Sequence, residues 1–225
     1  MHLHLDDALA TLSDRMLYLG SMADEFIARS VKALTERDSA AARRLIAEDE
    51  AVDQVELEVD RMCMDILSRH HPIASDLRFV TTAMKVAPEL ERLADLACSV
   101  CERVLDLNEE PELAAMVDLP QMARRARAML ASVTDAMVRR DGMAARATLR
   151  MDDELDACME RTFSALLTVM TTDPAAVPRA LRLLMVAKNF ERMGDHCTNI
   201  AEMVVYVAEG QVIRHGGRQT QKGTE

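Results

Sequence analysis

The sequence predicts an all-α fold made of two tandem, pseudo-symmetric three-helix bundles, six long helices in total. Three observations lead there. Ala, Leu, Met, Arg and Glu dominate the 225 residues, all strong helix formers, while aromatics make up 3% and Trp is absent. No glycine occurs between Gly20 and Gly142, a span over which a sheet protein would need several turn glycines. The chain also repeats itself. Arg37-Asp38-Ser39-Ala40-Ala41-Ala42-Arg43 matches Arg140-Asp141-Gly142-Met143-Ala144-Ala145-Arg146. Asp49-Glu50-Ala51-Val52-Asp53 matches Asp152-Asp153-Glu154-Leu155-Asp156, and Leu90-Glu91-Arg92-Leu93-Ala94-Asp95 matches Phe190-Glu191-Arg192-Met193-Gly194-Asp195.

The elements follow in order. Leu9, Leu12, Met16, Leu19, Met22 and Phe26 step by three and four, the stripe of an amphipathic first helix. Asp38-Ser39 signals the N-cap of a second helix that runs to about His70. His71-Pro72 ends it, because a residue before proline avoids helical dihedrals. Ser75 is placed to cap a third helix reaching about Leu107. Pro88 inside it lacks the donor that would reach the Met84 carbonyl and predicts a bend before Glu91. The first repeat is thus read as 1–108 and the linker, containing Pro111, as 109–118. The second repeat covers 119–210. Asp118-Leu119-Pro120 opens the fourth helix, with proline tolerated in its first turn. Asp141-Gly142 separates the fourth from the fifth, and Thr171 to Pro174 separates the fifth from the sixth, which Gly210 stops. Residues 211–225 are polar and glycine-rich and read as a disordered tail. Three helices joined by short turns bury their stripes as an up-down-up bundle.

The net charge of −11 argues against non-specific nucleic-acid binding and against anchoring on anionic lipid. It suits cations and basic partners. The N-terminal residues carry Asp6 and Asp7 and no long apolar run, so no signal peptide is expected. The longest apolar stretches are far too short to span a bilayer, and the expected location is cytoplasmic. The five cysteines, Cys63, Cys98, Cys101, Cys158 and Cys197, are odd in number and scattered, so no disulfide framework is read. Cys98 and Cys101 form a CxxC inside a helical pattern with no preceding strand, and packing as small hydrophobes is expected of them.

Four pairs of carboxylates stand at i, i+4: Asp49/Asp53, Glu91/Asp95, Asp152/Asp156 and Glu191/Asp195. That spacing puts both members on one helix face, where like charges repel. Asp53 lies about twenty residues before the turn at Ile73 and Glu91 about eighteen after it, so in an antiparallel hairpin the two meet at one height. Asp49 then meets Asp95. Around Pro174, Asp156 meets Glu191 and Asp152 meets Asp195. Four carboxylates per repeat would need a cation or shifted pKa values, and divalent or trivalent metal ions with oxygen ligands fit. The other reading is a solvated acidic face partnered by Arg92 and Arg192. A ferritin-like di-iron site needs Glu-x-x-His, which the chain lacks.

At these residues the sequence resembles the PhoU family over nearly its whole length. Glu191-Arg192-Met193-Gly194-Asp195-His196-Cys197-Thr198-Asn199-Ile200-Ala201-Glu202 is similar to the family's ERxGDHxxNIAE segment, and Pro72-Ile73-Ala74-Ser75-Asp76-Leu77-Arg78 to its PVAxDLR segment. The resemblance implies two tandem three-helix bundles, homodimers, and E/D-xxx-D pairs able to hold multinuclear iron or zinc clusters. It also implies a cytosolic negative regulator of phosphate uptake, an adaptor between a phosphate ABC transporter (its ATPase subunit) and a sensor histidine kinase, with no catalytic activity. The first repeat departs from the pattern: Ala94 stands for Gly194, Leu96 for His196 and Ser99 for Asn199. The second site should therefore be the better preserved. Asn199 and Glu202 fall on the face of Glu191 and Asp195 and could supplement its ligands. His196 sits about 100° round the helix from Asp195, which favours a contact with a neighbouring helix over ligation. Arg78 and Lys85 lack a glycine-rich loop and are read as ion-pairing residues rather than a phosphate site. Two rivals stand beside the adaptor: a metal-storage or metal-dependent hydrolytic protein using the carboxylates, and a plain helical scaffold.

Overall fold

The computed structural model describes residues 2–113 and 117–213. The parts of the expected linker at 114–116 and of the expected tail at 214–225 lie outside the described residues. Among the described residues there are seven α-helices and no strand: α1 (His2–Glu36), α2 (Ser39–Ala47), α3 (Glu50–His70), α4 (Ala74–Asn108), α5 (Leu119–Arg139), α6 (Gly142–Thr172) and α7 (Val177–Glu209), with a short 3₁₀ turn at Pro174–Ala176.

Most helix ends obey local chemistry. The Asp38 carboxylate accepts hydrogen bonds from the Ala40 and Ala41 amides, and Asp141 and Asp118 cap α6 and α5 in the same way. Gly210 ends α7 with φ +70°, and its amide donates to Tyr206 O at 2.9 Å, the left-handed stop that glycine adopts without a Cβ penalty.

Two expectations need correction. The second helix of the first repeat is not continuous. Between α2 and α3, the Glu48 amide donates to Leu45 O at 3.1 Å and the Val52 amide to Asp49 O at 2.8 Å, three-residue bonds that tighten the chain locally. Asp49 therefore sits at an interruption rather than in mid-helix. Ser75 does not cap α4: the N-cap position falls two residues earlier, at Ile73, with no side-chain cap bond. Pro88 lies within α4 without ending it.

Packing makes the two repeats one body. Helix α1 lies on α2, α3 and α4 of its own repeat and on α5 of the other, while α7 lies on α5, α6 and also α4. The pair α4–α7 is thus central, and both carry long buried stripes, including Phe79, Leu90 and Leu93 on α4 and Phe190, Met193 and Ile200 on α7. The buried residues of both repeats form one continuous core. Truncating a fully buried Phe such as Phe190 to Ala typically costs about 3–5 kcal/mol. Polar ties cross between repeats as well. Arg127 clamps Asp24 with two hydrogen bonds of 2.7 Å. Arg140 meets Asp76 at 2.9 Å with its guanidinium 4.6 Å over the Phe79 ring. Arg37 donates to Leu107 O and Glu110 O, holding the start of the linker against the end of α1.

Candidate functional site

The paired carboxylates of each repeat lie near enough across the hairpin to act on one another's ionisation. In the first repeat Asp49 and Asp53 face Glu91 and Asp95 of α4. Burial pushes the Glu91 carboxyl up to about 7; the neighbouring Asp95, Asp53 and Asp49 charges add to the shift and Arg92 opposes it. Burial also raises Asp49, as do Asp95 and Asp53, while the Cys98 thiol, donating to Oδ1 at 3.4 Å, works the other way. The counter-charge is supplied by exposed Arg92, 2.5 Å from Asp95 Oδ2 and 3.6 Å from Glu91 Oε2.

The second repeat brings Asp152 and Asp156 of α6 against Glu191 and Asp195 of α7. Burial raises Asp152 to about 6, helped by the charges of Asp156, Asp195 and Glu191. Asp156 and Asp195 are also raised, first by burial and then by Glu191, with Lys188 opposing. Lys188 takes the place that Arg192 was expected to fill. Its Nζ lies 2.5 Å from Glu191 Oε2 but off the hydrogen-bonding direction, so this buried oxygen has an ion pair and no directed hydrogen bond. Gly194 makes the approach of α6 possible. A Cβ there would meet Leu155 Cδ2 at 2.6 Å and Asp152 Oδ1 at 3.0 Å. The glycine thus lets an acidic side chain lie against the α7 backbone.

His196 and Asn199 turn elsewhere. His196 Nδ1 lies 2.7 Å from Glu89 Oε2, and Asn199 Nδ2 donates to the same oxygen at 3.2 Å. Burial opposes ionisation of Glu89, yet the bonds from His196 and Asn199 hold it below the usual carboxylate range. Glu89 went unremarked in the sequence because its partners lie on the other repeat. The expected neighbouring-helix contact of His196 is found, and the Asn199 amide is engaged by the same residue of α4. Glu202 stands half-buried about 10 Å further along α7 than Asp195. Arg78 crosses between repeats but donates to a backbone carbonyl, that of Val207, at 3.3 Å. All five cysteines are buried thiols.

The donor set is entirely oxygen, and Asp49, Glu91, Asp152, Asp156 and Asp195 are raised towards neutrality, mainly by burial, with the neighbouring carboxylate charges adding to it. That chemistry fits a hard or borderline metal ion. As positioned, no three His, Cys, Asp or Glu side chains among the described residues converge closely enough to hold one. Ligation therefore requires the carboxylates to swing together and release Arg92 or Lys188. Among the described residues no helix is long and apolar enough to cross a membrane.

Comparison with known proteins agrees with this architecture. The PhoU domain family model matches residues 17–104 and again 119–204. The phosphate-specific transport system accessory protein PhoU of Escherichia coli K12 is 33% identical over 209 residues, covering 93% of this chain and 87% of that protein. The PhoU homolog of Rhizobium meliloti strain 1021 is 34% identical over 215 residues, covering 93% and 90%. The crystal structure of PhoU from Pseudomonas aeruginosa superimposes with a TM-score of 0.86 at 31% identity, covering 92% of this chain and 99% of that one. The phosphate transport system regulatory protein PhoU from Streptococcus pneumoniae shares the fold, with a TM-score of 0.82 at 24% identity. With two family domains in tandem, spanning both three-helix units, the chain belongs to the PhoU family.

Proposed function

We propose that this chain is a cytoplasmic negative regulator of phosphate uptake and of the phosphate-starvation response. It acts by contact, as an adaptor between the ATPase subunit of a phosphate ABC transporter and a sensor histidine kinase, and turns over no substrate. The observation that carries the reading is the match of over 90% of the chain to proteins named as accessory to phosphate-specific transport. The site chemistry is compatible with it: the clusters combine carboxylates with a paired Arg or Lys.

In this reading the clusters hold divalent or trivalent metal ions, as multinuclear iron or zinc. Asp49, Asp53, Glu91 and Asp95 would hold one set, and Asp152, Asp156, Glu191 and Asp195 the other; Asn199, engaged by Glu89, and Glu202, about 10 Å further along α7, would have to turn towards the second set to join it. The bound cation supplies positive charge that relieves the mutual repulsion of the carboxylates. The second reading, a metal-storage or metal-dependent hydrolytic protein, draws on the same under-neutralised carboxylates. Deleting the gene, with any paralogues, and following a phosphate-starvation reporter in phosphate-rich medium separates them. A sustained rise in output, together with capture of the transporter ATPase or the cytosolic region of the kinase by the purified protein, is expected. A silent reporter with neither partner captured overturns the adaptor reading.

A further inference from the structure

Beyond the carboxylates, the second hairpin carries an apolar face that its bundle does not use. Phe163 and Leu167 of α6 are 48% and 47% exposed, and Leu181 and Met185 of α7 are 46% and 52% exposed. They stand together. From Asp152 to Phe163 is 11 residues and from Asp195 to Met185 is 10, about 16 and 15 Å of helix from a pair that faces across the hairpin. Leu167 and Leu181 lie about one turn nearer the end. On α6, Phe163 and Leu167 fall within about 60° of Asp152 on the helix wheel, so they continue the carboxylate stripe. One side of the hairpin therefore reads, from its middle to its end, as four carboxylates, the charged residues Glu160 and Lys188, and four large apolar side chains.

The first repeat serves as an internal control. Its residues at the four corresponding positions are Asp60, Met64, Thr81 and Lys85. Three of the four are polar and only Met64 is apolar, so a bundle of this kind does not need a continuous apolar face there. The exposed apolar area is on the order of a few hundred Å², the scale at which a patch marks an interaction site.

We infer that this face of α6 and α7 docks a helix of a partner protein whose apolar side covers Phe163, Leu167, Leu181 and Met185 and whose Lys or Arg residues, about two to three turns further along, reach Asp152, Asp156, Glu191 and Asp195. The inference rests on the adaptor reading and names the surface that reading requires. Charge chooses the occupant. The chain carries −11, and a second copy laid on this face would bring acidic surface towards acidic surface, whereas a basic helix end completes the under-neutralised cluster. Metal ions and the basic end of the partner then compete for the same carboxylates, so cation loading lowers affinity for the partner.

The test measures affinity of the full-length protein for two purified probes from the same organism, the phosphate-transporter ATPase subunit and the cytosolic region of the kinase. Phe163→Ser with Met185→Ser is expected to weaken binding to one of them at least tenfold while shifting the thermal midpoint by only a few degrees, since about half of each side chain is exposed. Asp156→Asn with Asp195→Asn is expected to weaken it several-fold and to flatten its salt dependence. Met143→Ser, 82% exposed on a distant part of α6, is expected to bind as the parent does. If the parent binds a probe and the Phe163/Met185 variant binds it equally well, the docking face is refuted and the adaptor reading stands. If the parent binds neither, both fall. A dimer in solution that the same double variant dissociates would overturn the inference in favour of self-association.

Discussion

Replacing Glu91 by Gln should stabilise the metal-free protein progressively as pH rises from about 4.5 to 7, with the full effect above neutral pH. The folded state raises this carboxyl from 4.5 to about 7, mainly by burial. At low pH, below the unfolded value, the group is protonated in both states and costs nothing. As pH rises through the folded value, the folded protein must ionise a carboxylate that its surroundings disfavour, so stability falls between about 4.5 and 7 and then levels. At about 1.4 kcal/mol per pKa unit the full shift corresponds to about 3 kcal/mol. The side chain is 19% exposed and Arg92 lies beside it in solvent, so screening reduces the expected effect to about 1–2 kcal/mol. Urea unfolding in the presence of a chelator, repeated from pH 5 to 8.5, measures it. The variant should come closest to the parent at the acid end of the range, pull ahead as pH rises towards 7, and exceed it by about 1–2 kcal/mol at pH 8, or by about 2–8 °C in midpoint for a chain of this size. Adding a cluster-binding metal should reverse the order, because ligation stabilises the parent by mass action. A difference that does not vary with pH, or a variant less stable at pH 8, would refute the reasoning.

Other outcomes follow from the second repeat. Asp156→Ala and Glu191→Ala should each abolish retention of metal at that site after chelator washing, since the proposed site spans both helices; full retention by both, read by elemental analysis, would place the metal elsewhere. Gly194→Ala should destabilise by about 1–2 kcal/mol despite the better helix propensity of Ala, because its Cβ meets fully buried Leu155 and the Asp152 carboxylate; chemical denaturation would show it, and a stabilised variant would refute the close packing. Glu89→Ala leaves His196 and Asn199 without their shared acceptor and should cost about 1–3 kcal/mol, with faster amide exchange in α4 and α7 around the lost contact; unchanged exchange there would deny it a role in joining the repeats.

The sequence by itself determined what depends on neighbours within a few residues and on counting along a helix. Asp38, Asp118, Asp141 and Gly210 mark helix ends because a carboxylate or a left-handed glycine acts on amides and carbonyls within four positions. The grouping of Asp49, Asp53, Glu91 and Asp95, and of their counterparts, followed from the fixed rise of two antiparallel helices about a turn that proline marks. The tertiary structure alone decided three things. It tightened the chain at Glu48 and Asp49, where no glycine or proline gives warning. It brought Glu89 of one repeat to His196 and Asn199 of the other, because α4 packs against α7 across a sequence separation of about a hundred residues that no periodicity encodes. And it left Phe163, Leu167, Leu181 and Met185 facing outward. In sequence these four look like core residues, since apolar character is a property of the side chain alone, whereas burial depends on which helices lie opposite, and among the described residues none covers them.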